Sequence, residues 1–195
     1  MMNKMKAVLL LISSLALFAA CSNEAPTPKP YGYHRINYPE RVYARFDSTN
    51  CPYSFEKSVA SRFEPVRNAE NPCWMNLYYP DLGATIYLSY KEIDGQESLF
   101  RYIDETQRMT YKHVVKASSI EEKFLADSAN RIFGIWYEVG GEAASATQFY
   151  LTDSTNHFVR GSLYFYSSPR PDSLAPIVDY VLVDMRKMLE SFRWK

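Results

Sequence analysis

An α+β domain, a mostly antiparallel five- to six-stranded sheet packed with two helices, is the fold class that this sequence predicts for residues 46–195. Three observations carry it. Short stretches of alternating apolar and polar residues recur between turn-forming clusters, the period of a half-buried strand. Two longer stretches repeat their apolar residues every three or four positions, the period of a helix with one buried face. Aromatic residues make up 15% of the chain, with 16 tyrosines, and such side chains suit strands. About 150 residues are enough for one domain around one sizeable core.

The first strand signal comes just after Cys51, where Tyr53 and Phe55 face one way and Ser54 and Glu56 the other. Residues 74–79 read as a second strand, Pro80-Asp81-Leu82-Gly83 as a turn, and 84–90 as a third strand with Ala84, Ile86, Leu88 and Tyr90 on one face. These two make a hairpin. Asp94-Gly95 breaks the pattern, and Leu99, Ile103, Thr106, Thr110 and Val114 then predict a helix over 98–117. Residues 132–139 are apolar on both faces, which predicts a central strand covered from two sides and ended by Gly140-Gly141. Alternation resumes over 147–152 and 157–166, joined by the polar turn Asp153-Ser154-Thr155-Asn156 into a second hairpin. The last element is a helix with Ser173 placed to cap it, Pro176 in its first turn, and a stripe of Val178, Val181, Met185, Met188 and Phe192. This order of elements resembles that of the small PsbP/Mog1-type sandwich.

The start of the chain carries a different signal. Lys4 and Lys6 precede an apolar run over 7–18, followed by the small-residue site Ala19-Ala20-Cys21. The run is short of the roughly 20 apolar residues that a spanning helix needs. It resembles a bacterial lipoprotein signal, with residues 1–20 removed and Cys21 becoming the lipidated first residue; an ordinary secretory leader with Cys21 merely near the cut is the alternative. Each buried acyl methylene contributes about 0.8 kcal/mol, so two or three chains anchor the protein to its membrane. Residues 21–45, with Pro26, Pro28 and Pro30 at alternate positions, read as a Pro-rich tether that favours extended geometry.

Basic and acidic residues number 22 each, and loss of the leader takes two lysines and no acid. No run of five basic residues occurs, which argues against nucleic-acid binding. Export places Cys51 and Cys73 in an oxidising compartment, where the two cysteines left besides Cys21 are expected to form a structural disulfide. Their spacing does not suit a redox role.

Candidate chemistry centres on the three histidines, His34, His113 and His157. His157 closely follows Asp153, Ser154 and Thr155, the raw parts of nucleophilic catalysis. An Asp-Ser-Thr-Asn run is equally what a tight turn uses for backbone capping, and no Gly-x-Ser-x-Gly or Ser-x-x-Lys motif supports a nucleophile. His113 has Lys112 and Lys116 nearby and no second ligand at zinc spacing. Gly140-Gly141, followed by Glu142, lacks the glycine spacing and strand-to-helix context of a phosphate cradle. The reading is no catalytic residue, no metal and no cofactor. A glycan-stacking surface of tyrosines is the sharper alternative use of the aromatics.

The chain further resembles the gliding motility lipoprotein D family, GldD. The likeness runs through Tyr31-Gly32-Tyr33-His34-Arg35-Ile36, Cys51-Pro52-Tyr53-Ser54-Phe55-Glu56 and Tyr87-Leu88-Ser89-Tyr90. It is densest over 137–145, 148–158 and Gly161-Ser162-Leu163-Tyr164-Phe165-Tyr166, and closes on Arg193-Trp194-Lys195. The resemblance implies a membrane-anchored component of the gliding machinery and of the type IX secretion system coupled to it, with other envelope proteins as partners and no reaction. The exposed turns are then candidate partner sites: Gly140, Gly141, Glu142 and Ser145 in one, and Asp153, Thr155 and His157 in the other. The domain is expected to face the periplasm, with peptidoglycan as an alternative partner.

Overall fold

The computed structural model describes residues 36–112, 116–166 and 171–195. The expected signal peptide, Cys21, His34 and His113 lie outside the described residues. Among the described residues, ten strands and two helices follow one another as β1 (Tyr43–Asp47), β2 (Tyr53–Ser58), β3 (Arg62–Glu64), β4 (Met75–Tyr79), β5 (Ala84–Glu92), α1 (Gly95–Tyr111), β6 (Ala117–Asp127), β7 (Ile132–Gly141), β8 (Ser145–Thr152), β9 (His157–Phe165), α2 (Pro171–Glu190) and β10 (Arg193–Trp194).

The α+β class holds, but the sheet is larger than the five or six strands expected. Seven strands run in the order β3-β4-β5-β9-β8-β7-β6, and three more form a second sheet, β1-β2-β10. All described pairings are antiparallel.

Alternation along the strands supplies both faces of the large sheet. Ala84, Ile86, Leu88 and Tyr90 of β5 point to one side and join the main core with Leu77, Trp136, Phe149, Leu151, Val159 and Leu163. The small sheet and α2 close over that side through Tyr53, Phe55, Val181, Met185 and Met188. On the opposite side Tyr137, Tyr150 and Phe158 form a smaller cluster beneath α1, whose Leu99, Tyr102 and Ile103 pack onto it. Residues 132–139 are indeed apolar on both faces, with Trp136 on one side and Tyr137 on the other. The strand is nevertheless not central. β7 is next to the edge, and β9 holds the middle place.

Three expectations shift for physical reasons. The first helix ends at Tyr111 because residues 117–127 form β6, an edge strand whose Glu121, Glu122 and Lys123 are exposed. The second helix begins at Pro171, where a missing N–H costs little, so Ser173 lies inside it and Pro176 further in than the first turn. The fold also starts before residue 46: β1 opens at Tyr43, and Ile36 packs against the core. Cys51 and Cys73 form the expected disulfide, with Cα atoms 5.4 Å apart, fastening the start of β2 to the segment leading into β4.

Candidate functional site

The β8–β9 turn is built around the Asp153 carboxylate. Its Oδ1 accepts from the backbone N–H groups of Thr155 (3.0 Å), Asn156 (2.8 Å) and His157 (2.8 Å), and its Oδ2 from the Thr155 hydroxyl (2.9 Å). Burial opposes the charged form, but the backbone donors outweigh it and hold the carboxyl at about 2, below the usual carboxylate range. Ser154 takes the left-handed conformation (φ 66°) that the turn requires. The Asp-Ser-Thr run is therefore spent on the backbone. Asp153 bonds to the main chain of His157 and not to its ring, so no Ser-His-Asp relay is assembled here.

The His157 ring is held by other residues. Its Nδ1 lies 2.8 Å from the Tyr90 hydroxyl, and the ring stacks on Trp194 at 5.3 Å and 22°. Burial, and after it the nearby Glu92 and Asp153 charges, pushes the Tyr90 hydroxyl up to about 12. Tyr90 thus keeps its proton near neutral pH and can donate to Nδ1. Trp194 in turn donates from Nε1 to the Arg131 carbonyl (3.1 Å), and Arg131 Nη2 donates to the Thr155 hydroxyl (2.9 Å), returning to the turn. Beside these rings the Lys195 N–H donates to the Pro52 carbonyl (2.9 Å), and Lys195 Nζ pairs with Asp47 at 2.6 Å. That pairing lowers the Asp47 pKa.

The result is an open cleft of about 470 Å³ lined by Thr49, Pro52, Glu92, Asn156, His157 and Lys195, with the Cys51–Cys73 bridge in its wall. Three motifs far apart in sequence meet there: Cys51-Pro52, the turn before His157, and Trp194-Lys195. The sequence flagged each separately. Nothing in its spacing showed that they converge, because the contact of β10 with β2 is set by tertiary packing.

The two turns expected as partner sites are not brought together. They lie at opposite ends of β8, whose eight residues span roughly 25 Å. At the far end Gly140 and Gly141 are paired with β6 within β7, across a register shift at Ala117/Ser119. Gly141 has φ +89°, and a Cβ there would lie 2.6 Å from the Ser118 nitrogen, so this position is fixed by backbone approach. Ser145 is fully buried, its hydroxyl donating to the Thr147 carbonyl (3.0 Å). Glu142 and Ala144 are the exposed members of this turn. Of the second turn Thr155 is exposed, His157 half-buried and Asp153 buried.

A polar cluster on the other flank carried no motif. Asp184 of α2, 2% exposed, accepts from the hydroxyls of Tyr43 (2.9 Å) and Tyr79 (3.2 Å) and from Arg41 Nη1 (3.2 Å). The available signal was an acid adjoining Met185 in an otherwise apolar stripe. Among the described residues, no group of three or more His, Cys, Asp or Glu is placed to hold a metal ion, and no helix is long and apolar enough to cross a membrane.

Comparison with known proteins adds the family. No curated protein sequence matches the chain. The solution structure of cyanobacterial PsbP (CyanoP) from Synechocystis sp. PCC 6803 aligns with 86% of this chain and 100% of that one, at 12% identity and a TM-score of 0.49, a likeness too slight to support an inference. The family model for gliding motility lipoprotein GldD matches residues 23–194, nearly the whole length, and the chain belongs to that family.

Proposed function

We propose that this gliding-motility lipoprotein is held to its membrane through Cys21, faces the periplasm, and helps assemble or steady the gliding apparatus and the type IX secretion machinery coupled to it. It acts by binding other envelope proteins and carries out no reaction. The observation that supports this reading is the cleft at the disulfide end. Its polar rim is exposed, its walls are pinned by a disulfide and two ring contacts, and of its hydroxyl–carboxylate–imidazole sequence the Thr155 hydroxyl and Asp153 carboxylate hold the turn while the His157 ring is held by Tyr90 and Trp194. Rigid loops with exposed polar edges suit recognition by shape.

The test is photo-crosslinking in gliding cells from a reactive amino acid at Thr49 or Glu92, with one at the exposed Asp179, which lies beside Gly140 and Gly141 at the other end of the sheet, as control. Adducts to envelope proteins from the cleft positions and not from Asp179 are expected. Adducts from neither cleft position would refute the interface.

A second reading, peptidoglycan or another glycan as partner, is favoured by two edge-on tyrosine pairs, Tyr78–Tyr166 and Tyr87–Tyr164, each at 5.7 Å, with Tyr87 and Tyr166 exposed. Isolated cell wall competing in a pull-down separates the two readings: it would displace the partner only under the second.

A further inference from the structure

On the opposite side of the large sheet from the small sheet lies a second cleft, of about 340 Å³, between α1 and strands β4, β5 and β9. That volume falls at the lower end of the roughly 300–1,000 Å³ usual for small-molecule sites. Trp74, Tyr87, Tyr102 and Phe158 supply flat apolar walls, and Met109 a flexible one. Trp74 is fixed by its Nε1–H donating to the Tyr90 carbonyl (2.7 Å), and Tyr102 by its ring contact with Phe158 at 5.6 Å.

The charge in this cleft is unbalanced. Lys91 and Glu105 pair with each other at 2.9 Å. Arg160 also lines the cleft and has no carboxylate within ion-pair distance among the described residues. Its Nη2 donates to Gln148 Oε1 (2.6 Å), while its Nε and the Nε2 of the fully buried Gln148 are buried donors without an acceptor. Burial lowers the Arg160 pKa from its ordinary value, yet a guanidinium stays charged in proteins. A half-buried cation whose Nε donor lacks an acceptor is costly unless an acceptor in the cleft completes it.

We infer that this cleft binds a small molecule bearing one carboxylate on a flat apolar body, the carboxylate accepting from Arg160 and the body lying between Trp74, Tyr102 and Phe158. An anion fits because Glu105 is paired directly with Lys91 and acts on Arg160 only beyond ion-pair distance. A flat body is required because the walls are rings, which favour face and edge contacts.

The test is saturable binding of 2-naphthoate to the full chain in nanodiscs, with empty nanodiscs as blank, 2-naphthalenemethanol as neutral control and glucuronate as polar-ring control. Binding of naphthoate at least tenfold tighter than either control is expected. Arg160→Gln should remove that preference, and Met109→Trp, at a half-exposed helix position, should block naphthoate by filling the cleft. If Arg160→Gln does not fold, the Met109→Trp result and the controls decide alone. No saturable naphthoate binding, equal binding of the alcohol, tighter glucuronate, or full binding by Met109→Trp would each overturn the assignment. None of these substitutions touches the disulfide-end cleft, so the outcome is independent of the partner reading above.

Discussion

Arg41 and Asp184, 143 residues apart in the chain, meet at 3.2 Å where residues 38–43 cross α2. Around that contact Tyr180 donates to the Pro39 carbonyl (2.8 Å), Arg41 lies over the Tyr180 ring at 4.2 Å, and Tyr38 stacks on it at 4.9 Å. Residues 38–43 therefore form a strap along α2.

Asp184→Ala should destabilise the domain by about 2–4 kcal/mol, because it strands the buried Tyr79 hydroxyl and removes the partner of Tyr43 and Arg41. For a domain of this size that is a fall of roughly 5–12 °C in Tm. Arg41→Ala should cost less, since its side chain is 36% exposed. Calorimetry of both variants is the measurement, and equal losses would show that the ion pair outweighs the buried hydroxyls.

Acid should act through Asp153. Its folded pKa of about 2 lies below the ordinary aspartate value of 3.8, so the folded state favours the charged form. The stabilisation, roughly 2 kcal/mol, is present above the unfolded pKa and is lost as pH falls from about 4 to 2. Asp153→Asn should lower the urea midpoint at pH 6, and its gap from the parent should close towards pH 2. A gap independent of pH would mean that the turn hydrogen bonds do not depend on the charge.

How far the sequence could lead is clear from particular residues. Ala84, Ile86, Leu88 and Tyr90 alternate cleanly because one side of β5 faces the main core, and the Asp153 turn carries its own capping chemistry, so both were legible. β6 was not, because an edge strand puts charges on both faces and loses its period. β1 and β10 are stabilised by pairing with β2, and no local propensity marks two residues such as Arg193 and Trp194 as a strand. The stack of His157 on Trp194 and the orphaned donors of Arg160 and Gln148 exist only once distant strands are side by side. The separation of the two candidate turns was readable in principle, since two turns flanking one strand must lie at its opposite ends.

Reduction of the Cys51–Cys73 bridge should lower stability by roughly 3 kcal/mol, the loop-closure estimate for a separation of 22 residues. The loss should be felt at the cleft first, since Tyr53 donates to the Cys73 carbonyl at 2.6 Å. Thermal melts with and without reductant measure the first effect, and hydrogen exchange at 49–53 the second. Melts that coincide would show the bridge to be thermodynamically idle.

Anchoring is tested separately. Cys21→Ala should abolish incorporation of radiolabelled palmitate and release the domain from the membrane fraction, because the lipoprotein reading makes that thiol the attachment point. Persistent labelling of the variant would remove the basis for a lipid at this residue.

The last prediction separates recognition from catalysis at the disulfide end. Gly141→Trp, at the far turn, would confuse the two, since its φ of +89° and the adjacent Ser118 backbone make any side chain there a folding defect. Thr49→Trp is cleaner, because Thr49 is exposed on the cleft rim and a bulky ring there occupies the space a partner would enter. His157→Ala removes the Tyr90 hydrogen bond and the Trp194 stack, about 1–2 kcal/mol of local stability, but leaves the cleft open. If the cleft works by shape, Thr49→Trp should stop gliding and secretion at normal protein level, whereas His157→Ala should retain much of both, a single rim contact being worth under about 1 kcal/mol of binding. A catalytic imidazole demands the reverse order. Complete loss of gliding with His157→Ala, at parental abundance and with Thr49→Trp unaffected, would establish that the ring does chemistry and that the cleft is an active site.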